Sequence, residues 1–234
     1  MSLQIIHEDN HLIAVNKPAG ILVHADITQD MTMEEMVKKY IKVRYKKPGD
    51  VFLGVIHRID RPVSGVVVFA RTSKALTRMN ALFKDRKIEK TYWAITRQRP
   101  NPTSNTLIHY IGKDQSINKA KAFEEMSNRA IAIKAKKSEL SFELAAGLDN
   151  RNLLKVMPKT GRPHQIRVQL SKIGSPIVGD IKYGYPQPNH DGSIALHSRS
   201  LSFIHPVKKE PVTIVAEPPR LQVWRQFASV MGYD

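Results

Sequence analysis

Between residues 57 and 65 the chain reads His57-Arg58-Ile59-Asp60-Arg61-Pro62-Val63-Ser64-Gly65, one carboxylate between two arginines just ahead of an apolar run. Guanidinium groups this close favour the ionised acid, so Asp60 is expected to stay charged even where it is partly buried. Such a carboxylate is a poor proton acceptor but can serve as a nucleophile or hold a cation. The plain alternative is a surface turn whose Asp and Ser cap the backbone. Around it, Val66 to Ala70 reads as a buried strand, and Thr72-Ser73 opens a helix with apolar Leu76, Met79, Leu82 and Phe83. Asp60 therefore falls at a boundary between elements, where sites are often built.

Four further segments carry chemistry-bearing side chains. Lys90-Thr91-Tyr92-Trp93-Ala94-Ile95 is a short alternating strand, and Thr160-Gly161-Arg162-Pro163-His164-Gln165-Ile166-Arg167 leads through Gly and Pro into another helix. Gly179-Asp180-Ile181-Lys182-Tyr183-Gly184 and the run from Ala195 to Pro206 lie nearer the C-terminus. Together with the opening Ile13-Ala14-Val15-Asn16-Lys17-Pro18-Ala19-Gly20, in this order and spacing, they resemble the RluA-type pseudouridine synthases. These enzymes isomerise uridine in RNA by breaking the N-glycosidic bond and rejoining the base through carbon.

The resemblance implies a role for each matching residue. Asp60 becomes the catalytic carboxylate, and Arg58 an arginine that enters the RNA stack beside the extruded nucleotide. Tyr92 matches the tyrosine lying against the flipped uracil, Arg167 an arginine paired with the catalytic aspartate, and Leu196 an apolar residue on the other side of the base. Arg162, His164 and Gln165 fall among the substrate-binding positions. The chain departs from the common pattern at Val63, where threonine is usual, and at Gln169, where histidine is expected. The resemblance also implies that the S4-type RNA-binding domain of many relatives is absent, leaving target choice to the catalytic domain.

The chemistry can be argued apart from the family. A uridine inside folded RNA hides its glycosidic bond and must leave the stack, which costs a few kcal/mol and calls for a substitute stacking partner. A ring such as Tyr92 and an aliphatic side chain such as Leu196 would supply one. Asp60 then attacks the anomeric carbon or the uracil ring, or assists proton removal at the sugar, and the residues do not separate these. Each residue has a simpler reading: Tyr92 as a half-buried core residue, Arg167 as a surface arginine, Arg58 as a phosphate contact, Leu196 as core, and Asp180 as a loop-fixing acceptor. Two other classes compete. One is an RNA-binding module without turnover. The other is a hydrolytic glycosidase, which would normally need a second carboxylate across the bond, and the motifs offer none.

Composition points to a polyanionic partner: 37 Lys and Arg against 21 Asp and Glu give a formal charge of +16. Before residue 36 the acids Glu8, Asp9, Asp26, Asp30, Glu34 and Glu35 face a lone Lys17, and then the sign reverses. One basic run covers Lys38, Lys39, Lys42, Arg44, Lys46 and Lys47; another surrounds the helix after the catalytic turn, where Lys84, Arg86 and Lys87 are expected to meet RNA phosphates. A solvated face is the ordinary reading of such runs. Zero cysteines excludes disulfides and thiolate metal sites and suits a reducing cytoplasm. The nine histidines are scattered, with His7 and His11 lacking further ligands at sensible spacing, so no metal is expected. No cofactor is called for, and no signal pattern or membrane span is present. The reading is a cytoplasmic monomer acting on structured RNA, rRNA or tRNA.

With 41% apolar residues and no linker or repeat, residues 1–234 are expected to form one catalytic domain. Strands are expected at Ile5 to His7, Leu12 to Asn16, Ala130 to Ala135, Leu140 to Ala145, Leu153 to Met157 and Val212 to Val215. Thr32-Met33-Glu34-Glu35 is a capping-box pattern starting a helix toward Tyr45, and a last helix from Pro219 should bury Leu221, Trp224, Ala228 and Met231. Strands without regular βα units indicate an α+β fold, a mixed and largely antiparallel sheet with packed helices.

Overall fold

The computed structural model describes residues 3–25 and 29–232, so Asp26, counted among the early acids, lies outside the described residues. The chain divides into two compact units, Met1–Glu89 with Ser198–Pro219, and Lys90–His197 with Arg220–Asp234. Both are α+β, as the strand pattern predicts.

In the first unit β1 (Ile5–Glu8) pairs antiparallel with β2 (Leu12–Lys17), and β2 with β4 (Ser64–Ala70), onto which the short β3 (Gly54–Val55) also pairs. The strand β10 (Leu196–Ile204) begins in the second unit, continues in the first next to β4, and forms a hairpin with β11 (Pro211–Val215). Every residue of β4 is buried, matching its unbroken apolar run. The approach of β10 depends on Gly65, whose φ is +116° and whose missing Cβ would lie 2.2 Å from the carbonyl oxygen of Ser198. Two helices complete this unit. In α1 (Met33–Arg44) Thr32 and Glu35 form the capping box read from the sequence, burying Met33, Val37 and Ile41. In α2 (Ser73–Lys84) the Thr72 hydroxyl accepts from the Ala75 N–H; Ala75 and Met79 are buried, with Leu76, Leu82 and Phe83 packed at the edge of the same core.

The second unit carries an antiparallel run ordered β5 (Glu89–Thr96), β9 (Arg151–Pro158), β8 (Lys136–Leu148), β6 (Ser104–Asp114), β7 (Lys119–Phe123). Helix α4 (Gln165–Lys172) packs on β6 and β7. Two expectations fail here. The segment read as a strand from Ala130 to Ala135 is instead a short helix, α3 (Asn128–Ala132), because the Ser127 hydroxyl caps it at the Ala130 N–H. Its alternating Ile131 and Ile133 imitate strand periodicity, but Ile131 faces solvent. The final helix is also broken, into α5 (Gln222–Arg225) and α6 (Ala228–Met231). Trp224, Phe227 and Met231 are buried, whereas Leu221, extended at the first cap, is exposed.

One polar cluster in the first unit governs behaviour in acid. Asp9 Oδ1 accepts from the N–H groups of His11 (2.7 Å) and Leu12 (2.8 Å), shaping the β1–β2 turn. Its Oδ2 faces His205 Nε2 at 3.1 Å, Lys208 Nζ at 3.5 Å and His7 Nε2 at 3.6 Å, with the His11 ring 5.9 Å from that of His205. Burial alone would raise the Asp9 pKa, but the two backbone donors, with His205 and Lys208, hold it at about 2. Burial lowers His205, against the pull of Asp9 and assisted by Lys208 and His11. Both depressed values have the same sign. The neutral His205 stabilises fully above its unfolded pKa of 6.5 and the ionised Asp9 above 3.8, and each contribution is lost as pH falls through the folded value. Thermal unfolding should therefore show a midpoint that declines below pH 6.5 and again below pH 4. Asp9→Asn should make the lower decline shallower, leaving the part due to Glu34, Glu35 and Asp114, whose hydrogen bonds also hold their carboxyls low; circular dichroism melts can check this.

Candidate active site

Asp60 sits half-buried on the loop between β3 and β4, and its carbonyl accepts the Val63 N–H at 3.0 Å to close the turn. Val63 itself is buried, so its departure from threonine leaves this backbone bond intact. Beneath the loop lies Lys17, fully buried at the end of β2, with Nζ donating to the carbonyls of Pro18 (2.9 Å), Ile21 (2.8 Å) and Arg61 (3.2 Å). Gly20 and Arg61 add a reciprocal pair: the Gly20 N–H donates to the Arg61 carbonyl at 2.8 Å, and Arg61 Nε donates to the Gly20 carbonyl at 2.9 Å. The Arg61 guanidinium also pairs with Asp30 at 2.9 Å. The turn that carries Asp60 is thus clamped from the 17–21 segment. Desolvation drops the Lys17 pKa to about 7; the Asp60 charge opposes the drop and Arg61 adds to it. Sequence reading placed Lys17 in a motif but gave it no task, since its carbonyl partners include a residue 44 positions away.

On the same unit His57 Nε2 accepts the Val68 N–H at 3.0 Å and its ring stacks on Phe83 at 5.1 Å, which holds the loop onto α2. Arg58 is exposed, and Lys84, Arg86 and Lys87 are exposed on the turn ending α2, where Arg86 takes a φ of +58°.

The second unit holds the other expected residues. Tyr92 is half-buried on β5 opposite Val156. Arg167 is no surface residue: it is 5% exposed, donating from Nε to Asp180 Oδ2 at 2.7 Å and from Nη2 to Asp180 Oδ1 at 2.9 Å, with its guanidinium 5.0 Å from the Tyr183 ring centre. Tyr183 in turn accepts the Ala120 N–H at 2.8 Å and hydrogen-bonds His164 Nδ1 at 2.7 Å. Asp180, which the spacing suggested as a loop-fixing acceptor, is fully committed to aiming an arginine. Gln165 is buried and spends its amide on the loop itself, accepting from the Thr160 hydroxyl (2.7 Å) and the Arg162 N–H (3.0 Å) and donating to the Glu139 carbonyl (3.0 Å). Arg162 is half-buried, and its Nε is enclosed with no hydrogen-bond partner among the described residues. Leu196, 3% exposed, opens β10 as a core residue. Gln169 is fully enclosed, donating to the Leu107 carbonyl at 3.2 Å and meeting His109 Nδ1 at 3.0 Å, so this departure from the common pattern serves packing against β6. Among the described residues no group of His, Asp and Glu is arranged to hold a metal ion.

The family model described as RNA pseudouridylate synthase matches residues 11–172, which spans the clamped Asp60 turn, Tyr92 and the Arg167 helix. The chain belongs to the RluA-type RNA pseudouridine synthases. It is 32% identical over 228 residues to ribosomal large subunit pseudouridine synthase D of Zymomonas mobilis, covering 93% of this chain and 70% of that one. It is 31% identical over 245 residues to tRNA pseudouridine synthase C of Vibrio cholerae, covering 99% and 97%. Among solved structures, human RNA pseudouridylate synthase domain containing 4 matches with a TM-score of 0.75 at 25% identity, over 93% of this chain and 89% of that one. The family assignment makes this synthase an isomerase, which sets aside the glycosidase and the inert RNA-binding module. No helix among the described residues is long and apolar enough to cross a membrane.

Proposed function

We propose that this synthase flips a specific uridine out of rRNA or tRNA and isomerises it with Asp60 as the reacting carboxylate, the two units acting as one catalytic domain in the cytoplasm, as a monomer without cofactor. The observation that carries the assignment is the clamp around Asp60. A turn fixed by Lys17, Gly20 and Arg61 holds the one carboxylate of the motif in a set position at the boundary between two strands. The relatives named for ribosomal and for tRNA substrates support RNA of either kind as the target.

Tyr92 takes the face of the flipped uracil, and its partly open side of β5 supports this. Arg167, oriented by Asp180, serves as the arginine that the family resemblance pairs with the catalytic carboxylate. Arg58, exposed two residues before Asp60, fills the gap left in the RNA stack; Arg61 is held by Asp30 and the Gly20 carbonyl. Arg162 and His164 meet the substrate, Gln165 acts on it through the loop it holds, and Leu196 supports the base from within the core. Lys84, Arg86 and Lys87 take phosphates.

Mapping pseudouridine across total RNA from cells with and without the gene tests the proposal, with one or a few uridines expected to lose modification in the deletion. An unchanged map would overturn it. On the uridine so identified, Tyr92→Phe should preserve RNA affinity and lower turnover if the hydroxyl joins a proton transfer. Unchanged turnover, with Tyr92→Ala failing in a folded protein, would leave the ring as the whole of its role.

A further inference from the structure

Helix α1 buries Met33, Val37 and Ile41, and its opposite side carries Lys39 and Lys42, continued past the helix end by Lys46 and Lys47, all four exposed. Lys38 pairs with Glu34 at 2.6 Å and Arg44 reaches Glu8 at 3.9 Å, but among the described residues no carboxylate lies within ion-pair distance of these four lysines. Three and four positions apart on a helix, like charges repel and weaken it, and the pairs Lys38–Lys42 and Lys39–Lys42 within α1 have this spacing. A merely solvated face has no need of that cost, and interspersed acids would remove it. Beside the stripe a cleft of about 370 Å³ is lined by Lys38, Lys39, Lys42, Asp50 and Val51. Phe52, next in sequence to the lining residue Val51 and eight residues before Asp60, is 50% exposed. Tyr45, also at the helix end, is not available in the same way, since its ring lies under the Arg71 guanidinium at 4.6 Å and its hydroxyl donates to Glu8 at 2.8 Å.

We infer that the solvent face of α1 and the adjoining 50–52 segment form a second RNA-binding surface, at which Lys39, Lys42, Lys46 and Lys47 hold backbone phosphates and Phe52 stacks on an unpaired base. The inference rests on the reading of RNA as substrate and adds a surface outside the reacting centre. Uncompensated cations in a row beside one exposed ring are the pattern that tracks a single strand, because every base has a π-face while the lysines follow the phosphates. Phe52 and Val43, the latter 72% exposed on α1, are two apolar side chains set among lysines, where a folded protein partner would need a broader apolar contact and a membrane a continuous apolar face.

The triple variant Lys39→Gln/Lys42→Gln/Lys46→Gln tests the phosphate contacts, with labelled unfractionated tRNA as probe and fluorescence anisotropy as readout between 50 and 300 mM salt. Affinity should fall about tenfold at the lower salt, and the slope of log K against log salt should flatten by about 2, at roughly 0.7 per phosphate for a single strand. Unchanged affinity and slope would make the stripe a solvated face and overturn the inference. Phe52→Ala should weaken tRNA binding about threefold or more while leaving the affinity for inorganic polyphosphate untouched, since polyphosphate offers charge without bases. Equal affinity for tRNA in this variant and the parent would overturn the base contact. Single-turnover isomerisation by the triple variant at saturating RNA should match the parent. Because binding is read without turnover, failure of the isomerase reading and failure of this surface remain separate results.

Discussion

Asp60→Asn is expected to abolish pseudouridine formation, by about 10⁴-fold or more in the single-turnover rate, while the protein keeps its melting temperature and its affinity for RNA. The substitution retains the shape of the side chain and removes its charge. The turn around it is built from backbone groups and from Lys17, Gly20 and Arg61, none of which is altered. The effect should therefore fall on the reaction itself. Rapid quench with product analysis on the mapped uridine would measure it, and substantial product from the variant would remove Asp60 from its role.

The second large effect concerns the buried pair in the other unit. Asp180→Ala leaves the Arg167 guanidinium charged, 5% exposed and without its bidentate acceptor. Removing one member of a buried ion pair costs about 3–5 kcal/mol, and for a chain of this size each kcal/mol moves the midpoint by roughly 2–4 °C. A fall of about 10 °C is expected by calorimetry. Arg167→Met combined with Asp180→Leu should recover much of that loss, because an apolar pair of similar volume replaces the uncompensated charge. The double variant should still be slow in single turnover even with RNA saturating, since Arg167 is proposed to act on the carboxylate. Full recovery of rate along with stability would reduce Arg167 to a structural residue.

Much of the local structure was legible in the sequence. The capping box at Thr32, the Thr72 cap, the apolar run of β4 and the alternation in β5, β8 and β9 are interactions within a few residues, so residue order alone determines them. Local signals also misled where they competed, as at Ala130 to Ala135, where a serine cap outweighed β-branched alternation, and in the final helix, which breaks before Phe227. Asp60 between two arginines and the excess of positive charge were visible in the residues themselves, whereas the roles proposed for Tyr92 and Arg167 came from the family resemblance.

What the chain order left undecided was which groups meet inside each unit. Lys17 reaches the turn beside Asp60 only because β2 and β4 pair in register, and Asp9 meets His205 only because β10 returns to that end of the sheet. Arg167 reads as an exposed helical arginine until the fold brings Asp180 and Tyr183 against it. Gln165, likewise, reads as a substrate contact until its amide is found closing its own loop. A charge or amide leaves water only when several partners, distant in sequence, converge to replace its hydration, and that convergence belongs to tertiary structure.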